Sequence, residues 1–61
     1  MKEDDIVMIF GEPIKLTHPI GQARLLQKIS ENEVLEYWKI QYLNDENNTY
    51  FQSIRKNGKN K

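Results

Sequence analysis

Two segments rich in aromatic and β-branched residues, 36–43 and 49–55, are separated by the polar residues 44–48. Within residues 37–42 of the first segment, strongly apolar side chains alternate with more polar ones. The alternating set comprises Trp38, Ile40 and Tyr42 against Tyr37, Lys39 and Gln41. A period of two is typical of a strand that is buried on one face, and the polar residues supply a turn. The pattern predicts a β-hairpin, and therefore a small β-structured binding module rather than a helical peptide or an enzyme.

The bulk composition limits what such a chain does. Its 61 residues allow one domain with a thin core, whose stability is expected at roughly 3–5 kcal/mol. The absence of cysteine excludes disulfides and thiolate zinc sites and favours a reducing cytoplasm. Nine basic and nine acidic side chains give a net charge of zero, which argues against strong binding to nucleic acid or membranes. No signal peptide or membrane span is evident.

The first half of the chain predicts further strands. The continuous apolar run 6–10 is typical of a strand covered on both faces, and residues 11–21 read as a long excursion with a short extended piece at 14–18. Residues 21–29 fit either a strand or a helix. Strand is favoured because the helical periodicity stops after Ile29 and because a Gly-led strand suits the hairpin downstream.

The order of these segments resembles the small Src-homology-3-like and Tudor-like barrels. The resemblance rests on the following pattern: Gly21-x-Ala23-x-Leu25-Leu26-x-Lys28-Ile29, then Tyr37-Trp38-x-Ile40, then Tyr42-Leu43-Asn44-Asp45, then Tyr50 and Ile54. It implies a fold and no particular ligand, since residues 11–20 lack the acidic, Tyr-rich segment of the proline-peptide groove. The richness in Asn, Ile and Lys also resembles small phage or plasmid open reading frames.

The fold prediction is therefore an all-β, small five-stranded Src-homology-3-like barrel that forms a single domain over residues 1–56. Residues 57–61 contain no apolar side chain and are predicted to be a disordered basic tail. The alternative is an α+β fold in which one helix, over residues 22–30, packs on β-hairpins.

No motif supports catalysis or a cofactor. His18 is the only histidine, too few for a zinc site, and a loop histidine beside Pro19 is the simpler interpretation. The acids near the two polar turns are interpreted as solvated turn residues rather than as an acid–base pair. They are Glu31, Glu33, Glu36, Asp45 and Glu46. The chain is predicted not to be an enzyme and to need no cofactor.

The candidate functional residues follow from the alternation. If Trp38, Ile40 and Tyr42 face the core, Tyr37 and Lys39 face outward. If Tyr50 and Ile54 also face inward, Phe51 and Arg55 join the outer face. The predicted partner-binding set is Tyr37, Lys39, Phe51, Arg55 and Lys56.

The predicted function is a non-enzymatic binding module that docks a protein partner through this exposed aromatic sheet face or through a sheet edge. The alternative is a nucleic-acid-binding barrel that uses Tyr37, Lys39, Phe51, Arg55 and the basic tail, because stacking rings beside cations suit single strands. The chain is expected to be a cytoplasmic monomer or weak homodimer without a membrane partner.

Overall fold

A computed structural model describes residues 1–56 and contains four strands in this part of the chain. They are β1 (Ile6–Glu12), β2 (Thr17–Glu31), β3 (Leu35–Tyr42) and β4 (Tyr50–Arg55). Each strand pairs antiparallel with the next, so the sheet order is β1-β2-β3-β4. The all-β prediction is confirmed. The alternative helix over 22–30 is wrong, since these residues lie inside β2.

The segment between β1 and β3 differs from the prediction, which had an excursion over residues 11–21 with a short extended piece at 14–18, and then a separate strand over 21–29. The chain turns within residues 13–16 and then continues as one strand of 15 residues. Leu16 and His18 adopt left-handed backbone, with φ of 56° and 60°, which brings the chain back beside β1. Pro19 is tolerated because, among residues 1–56, this part of β2 pairs with β1 alone and has no strand on its other side. Residues 1–56 therefore hold four strands instead of five.

Register shifts bend the sheet. In all three the extra residue lies in β2: Ile20 opposite the step from Ile9 to Phe10, Leu26 between Leu25 and Gln27, and Ile29 between Lys28 and Ser30. The resulting curl brings β4 towards β1, where the Gln52 side-chain amide donates to the Phe10 carbonyl at 3.4 Å. No backbone ladder joins β1 to β4 in the described part of the chain, so the sheet is curved but unclosed.

The core lies on the concave side of the sheet and draws on all four strands. Its buried side chains are Ile9, Ala23, Leu25, Trp38, Ile40 and Ile54. Trp38 is 2% exposed, and its indole Nε1–H donates to the Glu36 Oε1 at 2.8 Å. Glu36 is itself buried, at 7% exposure, which overturns its interpretation as a solvated turn acid. This hydrogen bond gives a partner to both buried groups, the carboxyl and the indole, and so explains how the carboxyl is accommodated in the core.

The apolar run at β1 also departs from its prediction. Ile9 is 1% exposed, whereas Ile6 and Met8 are 43% and 39% exposed. Only one face of β1 meets the core, so the expectation of a strand covered on both faces is wrong for this part of the structure. The other face leaves large apolar side chains at the surface.

The predicted disordered tail, residues 57–61, lies outside the described residues. Within residues 1–56, no helix has the length and apolar character needed to cross a membrane.

Charged side chains gather at the turn between β2 and β3. Glu31 forms ion pairs with Lys28 and, at 2.9 Å, with the Lys56 ammonium. The Lys56 ammonium also donates to the Asn32 carbonyl at 2.9 Å. Hydrogen bonds from Lys28 and then from Lys56 lower the pKa of Glu31 from 4.5 to about 2. The cluster joins the end of β4 to the turn that precedes β3.

This cluster predicts an acid-sensitive contribution to stability. Because folding lowers the pKa of Glu31, its stabilising effect is complete above the unfolded value near 4.5 and is lost as pH falls through about 2. We expect the thermal midpoint of the native chain to fall more steeply from pH 5 to pH 2 than that of Glu31→Gln, with a smaller difference at high salt because the pair is exposed. If the midpoints of the two proteins fell in parallel with pH, Glu31 would not be the source of the acid sensitivity.

Candidate binding face

The register of β3 and β4 decides which side chains share the outer face. In an antiparallel ladder, directly paired residues point to the same side of the sheet. Tyr37 pairs with Ser53, Lys39 with Phe51, and Leu35 with Arg55. Trp38 and Ile54, on the alternate rows, point to the core. The backbone therefore places Tyr37, Lys39, Phe51 and Arg55 on one side, as the alternation predicts.

Two aromatic rings form the centre of this face. Tyr37 and Phe51 are diagonal neighbours across the ladder, with ring centroids 6.0 Å apart and planes inclined by 18°. Both remain accessible, at 39% and 56% exposure. Such an offset stack holds its two rings in a fixed relation at little cost in side-chain freedom. We call Tyr37, Phe51 and the adjoining Lys39 the aromatic patch.

The aromatic patch contains one cation, Lys39, and has a second, Arg24, close to it on the same face. Lys39 lies between Gln27 of β2 and Phe51 of β4 in the same row, so its immediate cross-strand neighbours carry no carboxyl group. Arg24, paired with Gln41, is exposed on the next row. The Arg55 guanidinium reaches away from the patch and donates to the Ile14 carbonyl at 3.0 Å. Arg24 and Lys39 thus lie on outer rows of the sheet whose paired residues include no acidic side chain.

Lys56 is the predicted site residue that the structure sets apart. Its ammonium is engaged by Glu31 and the Asn32 carbonyl, and its backbone N–H donates to the Val34 carbonyl at 2.7 Å. These contacts hold Lys56 at the turn end of the sheet. It therefore does not join the aromatic patch.

A second aromatic pair lies beside the turn between β3 and β4, at the end of the sheet away from Lys56. Tyr42 and Tyr50 meet edge to face, with centroids 5.4 Å apart. The Tyr50 hydroxyl donates to the Asp45 carboxylate at 2.8 Å, which raises the pKa of Tyr50 and lowers that of Asp45. Tyr50 shares the inner row with Ile40 but remains 41% exposed, because the sheet ends there. This pair orders the polar turn between β3 and β4.

Arg24 is the outer-face residue that sequence reasoning missed. Its orientation depends on β2 being a strand, and the two register shifts against β3 break the period that would have revealed it. The signal present in the sequence was the alternation of Ala23 and Leu25 around Arg24, both of which are fully buried.

The described residues include several side chains of the types that bind metals or take part in catalysis. No cluster of three or more potential metal-ligating side chains occurs among them. His18 is exposed and contacts the Thr17 hydroxyl at 3.3 Å. The buried Glu36 carboxyl accepts a hydrogen bond from the Trp38 indole.

Comparison with known protein families, curated proteins and solved structures gives no match for this chain, so a functional assignment depends on its own geometry.

Proposed function

We propose that the protein is a small, non-enzymatic binding module whose aromatic patch docks a protein partner. The observation that carries this proposal is the exposed Tyr37–Phe51 stack, held on the outer face by the β3–β4 register. Tyr and Phe are enriched at protein interfaces, where they bury large areas with few rotatable bonds. The zero net charge of the chain suits a partner that is recognised by shape and apolar contact.

The test compares Tyr37→Ala/Phe51→Ala with the matched control Leu43→Ala, which removes an exposed apolar side chain, 42% accessible, outside the patch. Tagged proteins are incubated with nuclease-treated lysate from the source cells, and recovered proteins are quantified by mass spectrometry. Loss of an interface hot spot costs about 2 kcal/mol, so we expect recovery of the partner to fall at least about tenfold for the double variant. The control should retain it, and equal recovery by the two variants would contradict the proposal.

A second candidate function is binding of single-stranded nucleic acid. The observation in its favour is that Arg24 and Lys39 lie on the same outer face as the stacked rings, with no carboxylate on their rows. Aromatic rings stack on bases, and cations attract phosphates. This candidate predicts shifts of the Tyr37, Lys39 and Phe51 amide signals on addition of a short single-stranded DNA, larger at about 50 mM than at about 200 mM salt. Spectra unchanged at both salt concentrations would eliminate it.

A closed Src-homology-3-like barrel, a cytoplasmic location and a phage or plasmid origin remain predictions from the sequence. The barrel prediction is supported by the all-β, antiparallel architecture of the curved four-stranded sheet.

A further inference from the structure

An apolar groove of about 430 Å³ lies where β1 and β4 approach each other without pairing. Apolar lining is supplied by Val7, Phe10, Leu16 and Ile54, together with the exposed Ile6 and Met8. Asp5 lines the groove next to the start of β1. Arg55 lines it too, and its bond to the Ile14 carbonyl places the guanidinium near the turn that follows β1. The groove therefore has an apolar middle and an opposite charge towards each end of β1.

The backbone of β1 faces this groove with polar groups. The Leu25 N–H donates to the Asp5 carbonyl at 2.9 Å, which sets the phase of the β1–β2 ladder. Hydrogen-bonded pairs alternate in an antiparallel ladder, so Val7 and Ile9 direct their N–H and C=O groups to β2. Ile6 and Met8 direct theirs away from it, and both residues line the groove.

The facing edge of β4 is arranged in the same way. The Lys56 N–H donates to the Val34 carbonyl, so the hydrogen-bonded pairs that follow involve Ile54 and Gln52. Ser53 and Arg55 consequently point their backbone groups away from β3, and both line the groove. Two strand edges that have no ladder partner among residues 1–56 thus border one apolar cleft.

We propose that this groove binds an extended segment of a partner protein, which adds to the free edge of β1 as a further strand. The edge supplies alternating N–H and C=O groups, which only an extended backbone pairs repeatedly. The apolar lining selects a segment with apolar residues at every second position. Asp5 and Arg55 favour a segment with a cation near one end and a carboxylate near the other.

Other occupants fit less well. The end of this chain, residues 57–61, has no apolar side chain to place against Val7 and Ile54. A folded second copy presents its own edge strand backed by the rest of its sheet, whereas the cleft is bordered on both sides. The edge of β1 also lacks the usual protection against strand addition, since residues 6–10 contain neither a charge nor a proline.

The experiment begins with selection from a phage-displayed library of random eight-residue peptides on the immobilised full chain. Enriched peptides should share apolar residues at alternate positions with opposite charges at their ends. The leading sequence, made as a synthetic peptide, should shift the amide signals of Ile6, Met8 and Ser53 and slow hydrogen exchange at Ile6 and Met8. Absence of enrichment, or shifts centred on Tyr37 and Phe51 instead, would overturn the proposal.

Two variants at one position isolate the backbone contribution. Met8→Pro removes the N–H that faces the groove while leaving the β1–β2 hydrogen bonds in place, and Met8→Ala keeps that N–H. We expect the selected peptide to bind Met8→Pro about tenfold more weakly than Met8→Ala. Equal affinity for the two variants would exclude strand addition at β1.

A modified peptide keeps the test independent of how Met8→Pro folds. N-methylation of the peptide amides that would face β1 should abolish binding to the native chain, and retained binding would reject the proposal. Concentration-dependent dimerisation that shifts Ile6 and Met8 without peptide would assign this edge to a second copy. None of these outcomes depends on the aromatic patch, so the Tyr37→Ala/Phe51→Ala test succeeds or fails separately.

Discussion

Trp38→Ala should leave the chain largely unfolded at room temperature. The indole is the largest side chain in the core and is 2% exposed, and it also forms the hydrogen bond that satisfies Glu36. Truncating a buried aromatic residue costs about 3–5 kcal/mol, and a domain of this size has roughly that much stability in total. Far-ultraviolet circular dichroism and amide chemical-shift dispersion would report the loss of the sheet.

The control for Trp38 is its neighbour Tyr37, which points to the opposite side of the same strand. Tyr37→Ala removes an aromatic ring of similar size from the outer face, where cross-strand pairs contribute about 0.2–1 kcal/mol. We expect this variant to melt cooperatively within several degrees of the native midpoint. A Trp38→Ala protein that melted equally close to the native midpoint would contradict the assignment of Trp38 to the core.

The second large effect is expected at β1, where Ile9→Ala should destabilise the protein by about 2–5 kcal/mol. Ile9 is 1% exposed and is the β1 residue of the buried core. The adjoining segments relax only partly when its side chain is removed, so a cavity remains. Urea unfolding monitored by Trp38 fluorescence gives the change in the free energy of unfolding, if the variant still folds.

Met8→Ala is the matched control for Ile9→Ala. Met8 is 39% exposed on the other side of the same strand, so its truncation should change the free energy of unfolding by less than about 0.5 kcal/mol. The comparison tests whether β1 is covered on one face or on two. Similar losses at both positions would restore the sequence-based expectation of a strand buried on both sides.

The parts of the fold that the sequence predicted are those where each residue follows a strict period of two. In β3, Trp38 and Ile40 are buried while Tyr37 is exposed, as the alternation requires. In β1, five consecutive apolar residues erase that signal, because Ile6 and Met8 are as apolar as Ile9. Burial on both faces is then the simplest interpretation, although the structure leaves one face accessible.

The prediction of five strands failed at the turn between β1 and β2 for a different reason. Leu16 and His18 adopt left-handed backbone, which is uncommon for residues other than glycine and especially so for leucine. Pro13 marks the start of this turn, but nothing in the sequence shows that the turn ends before Thr17, and Pro19 wrongly indicates the end of a strand. Only the pairing of Pro19 with Phe10 shows that the strand continues.

The alternation of side chains along the strands also predicted part of the candidate site. Tyr37, Lys39 and Phe51 follow from alternation in two strands, and the outer face of the structure includes all three. The Arg55 guanidinium and the Lys56 ammonium are directed by contacts with residues more than 20 positions away, at Ile14 and Glu31. Such contacts depend on how the sheet curls, which local sequence patterns do not encode.

The unclosed sheet has a consequence for how fast the chain folds. Every strand pairs with the next strand along the chain, so each ladder forms by closing a short turn, which costs little chain entropy. A closed barrel of equal length must also bring its first and last strands into register before it is complete. Here that step reduces to side-chain contacts, such as the one from Gln52 to Phe10. We therefore expect single-exponential refolding near the millisecond end of the range for all-β domains.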